Sequence, residues 1–265
     1  NNLKSKMLNH LESYSVILPT YNECGHIEDL TMDIFNIFKS KNLKFEIIIV
    51  DDESEDGTFE IVQKLDNKYP EITAINRKNK KKNLVESIKH GIRISNYKNI
   101  IWLDADYSHP PHYLNKALEE KKNSNADIIM FSRFLKESKR YYENKMASPK
   151  AIDQLSILLN KICNVVLFEE FTDYTSGYIL INKEFLDTIE LKGYYGDYFI
   201  NLLVDAKLLK KKVLEIPYIE QDRKTGQSKT TKNFFKFLLK CYFYLYSIFI
   251  AYLKKLKILK YNRKK

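Results

Sequence analysis

Hydrophobic and polar positions along this chain follow two periods that alternate. Short apolar runs rich in β-branched residues, "YSVILP" (14–19), "EIIIV" (46–50), "EITAI" (71–75), "NIIWL" (99–103) and "ADIIMF" (126–131), read as buried strands. Between them lie stretches with helical spacing. "IEDLTMDIFNIFKS" places Ile27, Leu30, Ile34, Ile37 and Phe38 on one face. "TFEIVQKLDNKY", "NLVESIKHGIRIS" and "HYLNKALEEKKN" follow the same rule. Strand and helix in strict alternation predict βαβ units around a mostly parallel sheet, a Rossmann-like half.

After Phe134 the alternation loosens. "AIDQLSILLNKICNVVLF" and "DYFINLLVDAKLLKK" predict helices, "TDYTSGYILIN" a loop running into a strand, and "KVLEIPYIEQDR" a strand that leads to the polar loop "RKTGQSKTT". The last block, "FFKFLLKCYFYLYSIFIAYLKKLKILK", mixes aromatic and apolar residues with scattered lysines. Its uncharged core, Cys241 to Leu253, is shorter than the roughly 20 residues a spanning helix needs. Amphipathic helices lying in a membrane interface are expected instead. The chain therefore divides into a domain over 1–232 and a membrane-associating segment over 233–265.

Composition narrows the picture. In 265 residues, 44% are hydrophobic and 13% aromatic, enough for a substantial core and against wholesale disorder. Cys24, Cys163 and Cys241 stand far apart, with neither zinc-site nor disulfide spacing. No signal peptide is visible. The net charge of +10 is concentrated in "NRKNKKKN" (76–83) and in the C-terminal "KKLKILKYNRKK". No nucleic-acid recognition motif accompanies it, so nucleic acid is not an expected partner. An anionic membrane surface or a phosphorylated substrate suits clustered charge equally well.

The chemistry is carried by strand ends. In parallel sheets ligands sit beyond the carboxyl ends of the strands, so the loops at Pro19–Glu23, Asp51–Ser54 and Asp104–His109 converge on one rim. "LDAD" ends a buried strand in two carboxylates, Asp104 and Asp106, which repel unless a cation binds. Hard oxygens of this kind suit Mg²⁺ or Mn²⁺ holding a diphosphate. Asp51 and Asp52 are placed to accept hydrogen bonds from a base or ribose, or simply to shape a turn.

"ILPTYNE", "IIIVDDESEDGT", "LDADYSHPP", "SRF", "SGY" and "DRKTGQSK" stand in an order and spacing that resemble family 2 glycosyltransferases, and more narrowly the dolichol-phosphate mannose synthases, over about Tyr14 to Thr231. The resemblance implies a GT-A fold and transfer of a sugar, mannose from GDP-mannose first, to dolichyl or polyprenyl phosphate, giving a β-linked product by inversion. It implies that Pro19, Tyr21, Asn22, Glu23, Asp51, Asp52 and Asp104 hold the nucleotide. Asp104, Asp106 and Ser108 would hold Mg²⁺ or Mn²⁺. Arg133, Ser228 and Lys229 would hold the acceptor phosphate, with Arg133, Arg223 and Lys229 joining Asp104 and Asp106 in catalysis. It further implies a peripheral or monotopic protein on the cytoplasmic face of a membrane, the endoplasmic reticulum in a eukaryote or the plasma membrane in a prokaryote. Small membrane subunits are compatible with that picture.

The chain departs from the pattern in places. Asn83 stands where relatives carry a glycine, implying a left-handed turn. "KGYYGDYFINLL" is about two residues longer than in the mannose synthases, and Asn201 replaces a common Glu. Alternatives follow: UDP-glucose as donor, a hydroxyl acceptor with Asp197 as base, or a nucleotide-sugar or membrane-binding module without catalysis.

Overall fold

The structure is a computed structural model that describes residues 12–138, 151–221 and 234–262. Arg223, Ser228 and Lys229 lie outside the described residues. The described chain clusters into two compact units. One draws on the chain up to 124, on 178–188 and on the stretch from 220; the other on 125–177, on 189–219 and on the C-terminal helix.

The first unit is built on β1 (Ser13–Thr20), β2 (Lys44–Asp51), β3 (Ile72–Asn76), β4 (Asn99–Trp102) and β6 (Ile179–Asn182), side by side in the order β3-β2-β1-β4-β6. The first four run parallel, and β6 runs antiparallel to β4. All four residues of β4 are buried, as are the last five of β2. Burial on both faces explains why these strands read as unbroken apolar runs rather than as alternations. Helices α1 (Ile27–Ser40), α2 (Thr58–Lys68), α3 (Leu84–Ile94) and α4 (Leu114–Asn123) make the crossovers. The buried face of α1 carries Ile27, Leu30, Thr31, Ile34, Phe35 and Phe38, so Phe35 takes the core position expected of Ile37.

Asn83 is not left-handed. Its backbone is extended (φ −159°), and its side chain caps α3 by accepting from the N–H groups of Val85 and Glu86. A cap of this kind needs a short polar acceptor, which glycine lacks. Gly91, on the same helix, allows close packing on β1: a Cβ there would lie 2.5 Å from Ile17 Cγ2.

The second unit contains β5 (Ile128–Ser132) paired in parallel with β7 (Val213–Pro217), and helices α5 (Ala151–Val166), α7 (Tyr198–Leu208) and α8 (Phe234–Asn262). A four-residue helix, α6 (Lys183–Leu186), follows β6 in the first unit. The C-terminal block is one continuous helix rather than several. Among the described residues, no helix is long and apolar enough to cross a membrane.

Candidate functional site

Parallel register places the ends of β1, β2 and β3 level: Thr20 pairs with Asp51, and Asp51 with Asn76. The rim above them is tied together by side chains. Asp51 is fully buried, and its carboxylate accepts from Thr20 Oγ1 (3.0 Å) and from the N–H of Ser54 (2.9 Å). Ser54 Oγ in turn accepts from the N–H of Asn22 (2.8 Å), and Asn22 Oδ1 accepts from the N–H of Glu55 (2.9 Å). The β1 and β2 loops are thus one hydrogen-bonded body.

Asp52 is also enclosed, 6% exposed. It accepts from Arg77 Nη1 (2.6 Å) and from the N–H of Asn83 (2.7 Å), and Arg77 also reaches Ser87 Oγ (2.8 Å). Burial pushes the Asp52 carboxyl above its ordinary range, against the opposing pull of the Asn83 N–H and Arg77. Both aspartates are therefore spoken for within the protein, and they shape the loops that carry Tyr21 and Glu23. The half-buried Tyr21 has Lys82 Nζ 2.9 Å from its hydroxyl.

Beyond β4, Asp104 is half-buried and Asp106 buried. The backbone N–H of Asp104 donates to His109 Nδ1 (3.0 Å), and that ring stacks on Tyr178 with centroids 5.0 Å apart. Asp106 accepts from the N–H of Ser108 (3.0 Å). Tyr107, between them, has a left-handed backbone (φ 65°), and its hydroxyl donates to Asp33 on α1 (2.7 Å). His109 is accordingly a structural support, as its neighbouring prolines suggest.

The donor set here fits a hard divalent cation: two carboxylates and the Ser108 hydroxyl on one short turn. Among the described residues no group of three or more His, Cys, Asp or Glu side chains is arranged to hold a metal. Mg²⁺ is usually bound through one or two carboxylates, with water and substrate phosphates completing the shell.

In the second unit, Arg133 follows β5 and is held by Asp173. Its Nε and Nη2 donate to the two carboxylate oxygens at 2.8 and 2.9 Å, its N–H donates to the same carboxylate at 3.1 Å, and Nη2 also reaches Thr175 Oγ1 at 2.7 Å. Burial alone would raise Asp173, but Arg133 and the Thr175 N–H outweigh it and hold the carboxyl below its usual range. Asp173, in "TDYTSG", lies in the loop expected before β6. It is the orienting partner of Arg133, 40 residues away in the chain. Arg77 likewise lies within the basic run 76–83, whose clustered charge alone does not single it out. Asp197 is buried and accepts from the N–H groups of Tyr194 and Tyr195 and from Ser247 Oγ (3.0 Å). That arrangement suits a loop support better than a base.

The chain has the GT-A fold, with a mostly parallel central sheet flanked by helices. Glucosyl-3-phosphoglycerate synthase from Mycobacterium tuberculosis, crystallised with Mn²⁺, UDP-glucose and phosphoglyceric acid, superposes with a TM-score of 0.70 at 12% identity, over 93% of this chain and 82% of that one. The chain belongs to glycosyl transferase family 2, which it matches over residues 15–190. It is 33% identical over 229 residues to the dolichol-phosphate mannosyltransferase of Pyrococcus furiosus, covering 86% of this chain but only 62% of that protein's length. It is 28% identical over 221 residues to the undecaprenyl-phosphate mannosyltransferase of Micrococcus luteus, covering 80% of this chain and 85% of the relative.

Proposed function

We propose that the protein transfers a hexose from a nucleotide donor, mannose from GDP-mannose first, to the phosphate of a dolichyl or other polyprenyl phosphate at a membrane surface. In this reading Pro19, Tyr21, Asn22 and Glu23 form the wall for the nucleotide. Asp51 and Asp52 act by holding that wall in place, and Asp104 faces the diphosphate. Asp104, Asp106 and Ser108 would hold Mg²⁺ or Mn²⁺, which when bound neutralises charge on the diphosphate. Arg133, oriented by Asp173, is assigned to the acceptor phosphate, together with Ser228 and Lys229. Arg223 and Lys229 are assigned to the charge that develops on the leaving diphosphate.

The acceptor phosphate monoester is largely ionised near neutral pH, its second pKa being about 6. It can attack the anomeric carbon directly, with inversion, and needs positioning more than a base. The engaged state of Asp197 agrees with this, because no proton acceptor is required of it.

What supports a lipid-linked acceptor is the outward face of the C-terminal helix. Toward the rest of the second unit the helix turns the buried Ile248 and Ala251 together with polar anchors: Ser247 to Asp197, Lys254 to Asp205, and Lys255 to the carbonyl of Val166. Outward it presents Leu239, Tyr242, Leu245, Tyr246, Phe249 and Leu253, all more than a third exposed. A stripe of aromatics and leucines with lysines following suits insertion at the headgroup level. A peripheral or monotopic location follows from that reading.

The test is sugar transfer to a short-chain polyprenyl phosphate, with GDP-mannose and UDP-glucose offered separately, each with and without Mn²⁺. Metal-dependent transfer from GDP-mannose is the expected result. Transfer from UDP-glucose alone would move the donor while keeping the acceptor. Transfer to the polyprenyl phosphate from neither donor, or an α-linked product from an α-linked donor, would overturn the proposal.

A further inference from the structure

At the outer edge of β3 a cleft of about 700 Å³ opens in the first unit. Its lining includes Arg77, Lys78, Lys80, Lys89 and Arg93, with Glu86 as the one acid. Lys89 lies 2.7 Å from Glu86 and Arg77 is paired with Asp52, so each has a countercharge. Lys78, Lys80 and Arg93 form no ion pair with the described residues. The volume is that of a small-molecule site. Cationic side chains crowded into a recess repel one another, and the recess concentrates their field on an anion.

Asn76 is half-buried in the lining of the cleft, its Oδ1 closed off from solvent. Phe59 supplies an apolar wall beside it. The cleft does not include Tyr21, Asp104 or Asp106 in its lining, so it is distinct from the carboxylate turn.

We propose that this cleft is a second anion site, for a small phosphorylated compound whose phosphate lies among Lys78, Lys80 and Arg93. Arg77 belongs to both the cleft and the rim, since it also holds Asp52. A phosphate drawn to Arg77 competes with Asp52 for the guanidinium. Occupancy therefore adjusts the β2 loop, and by reciprocity a nucleotide on that loop adjusts affinity in the cleft.

His90 reports on the site directly, because it lines the cleft with Arg77, Lys78, Lys80, Glu86, Lys89 and Arg93. Burial and the like charges of Arg93 and Arg77 hold its imidazole below its ordinary range. The experiment follows the histidine signals of the full chain by NMR while inorganic pyrophosphate, or separately glycerol phosphate, is added. A bound phosphate should shift His90 saturably and raise its titration midpoint by about half a unit or more, leaving His26, His109 and His112 in place. K80Q/R93Q, at two exposed positions, should weaken that response at least tenfold in a protein that melts normally. No saturable change at His90 with either probe, or a change that survives K80Q/R93Q, would overturn the proposal. Neither readout uses sugar transfer, so the result stands apart from the assigned reaction.

Discussion

Asp173→Asn tests whether Arg133 is a preorganised cation or an incidental one. The Asp173 side chain is fully buried and that of Arg133 is 11% exposed. The carboxylate accepts from three Arg133 donors and from the N–H and hydroxyl of Thr175. One oxygen serves the Arg133 N–H and Nε, and the other serves Nη2 and both Thr175 groups. Whichever way an asparagine amide turns, its NH₂ faces at least two donors. The guanidinium also loses its countercharge in a place where water cannot replace it. Breaking one partner of a buried pair typically costs about 3–5 kcal/mol. Urea unfolding with linear extrapolation should show a loss of that size.

R133M/D173N removes the stranded cation, and it should be more stable than D173N alone. The pH dependence follows from the depressed carboxyl. A group whose folded pKa lies below its unfolded value contributes fully above the ordinary carboxylate range and loses that contribution as pH falls through the folded value. The difference between wild type and D173N should therefore be constant above about pH 5 and shrink below pH ~4. A D173N cost under about 1 kcal/mol, a double variant as unstable as the sum of its singles, or a gap that widens in acid would each refute the argument.

Other consequences can be measured more briefly. D106N should lower sugar transfer at least about a hundredfold without changing urea stability by more than ~1 kcal/mol, and a near-normal rate would remove Asp106 from the cation site. G91A should destabilise by about 1–3 kcal/mol, because the clash with Ile17 outweighs the ~1 kcal/mol that alanine gains in a helix. A more stable G91A would mean that the α3–β1 contact is looser than it looks. Y246Q/F249Q should reduce cosedimentation with vesicles at least tenfold, since burying one aromatic is worth about 1.5–3 kcal/mol; unchanged binding would point to another surface.

Much of the first unit was legible because its elements declare themselves locally. β2 and β4 are buried on both faces and so appear as unbroken apolar runs, and α1 repeats its core residues at helical spacing. Once the alternation implied a parallel sheet, topology alone gathered Asp51, Asp52, Asp104 and Asp106 onto one rim. What stayed hidden depends on pairs remote in sequence. Nothing near Asp52 announces Arg77, 25 residues on, and nothing near Arg133 announces Asp173. Asn83 misled for a related reason. A substitution for glycine suggests a left-handed turn, whereas its value lies in capping α3 while its N–H binds Asp52. The outward face of α8 was half legible. Composition showed the aromatics, but which side turned inward depended on Asp197 and Asp205 on another element.

The rim also explains why left-handed backbone recurs there without glycine. Asn22, Glu53 and Tyr107 have φ of 55°, 59° and 65°, one in each strand-end loop, each next to a residue assigned to the site. For L-residues this conformation costs on the order of 1–2 kcal/mol. Glycine would relieve the cost, yet two of these side chains are the latches that hold their own turns. Asn22 Oδ1 receives the Glu55 N–H, and the Tyr107 hydroxyl reaches Asp33 on a helix outside the loop. A glycine at 107 would ease the turn and release it, leaving Asp106 and Ser108 free to separate. The strain is thus tolerated because it comes with a clamp, and the clamp is what a carboxylate needs in order to meet a cation without reorganising.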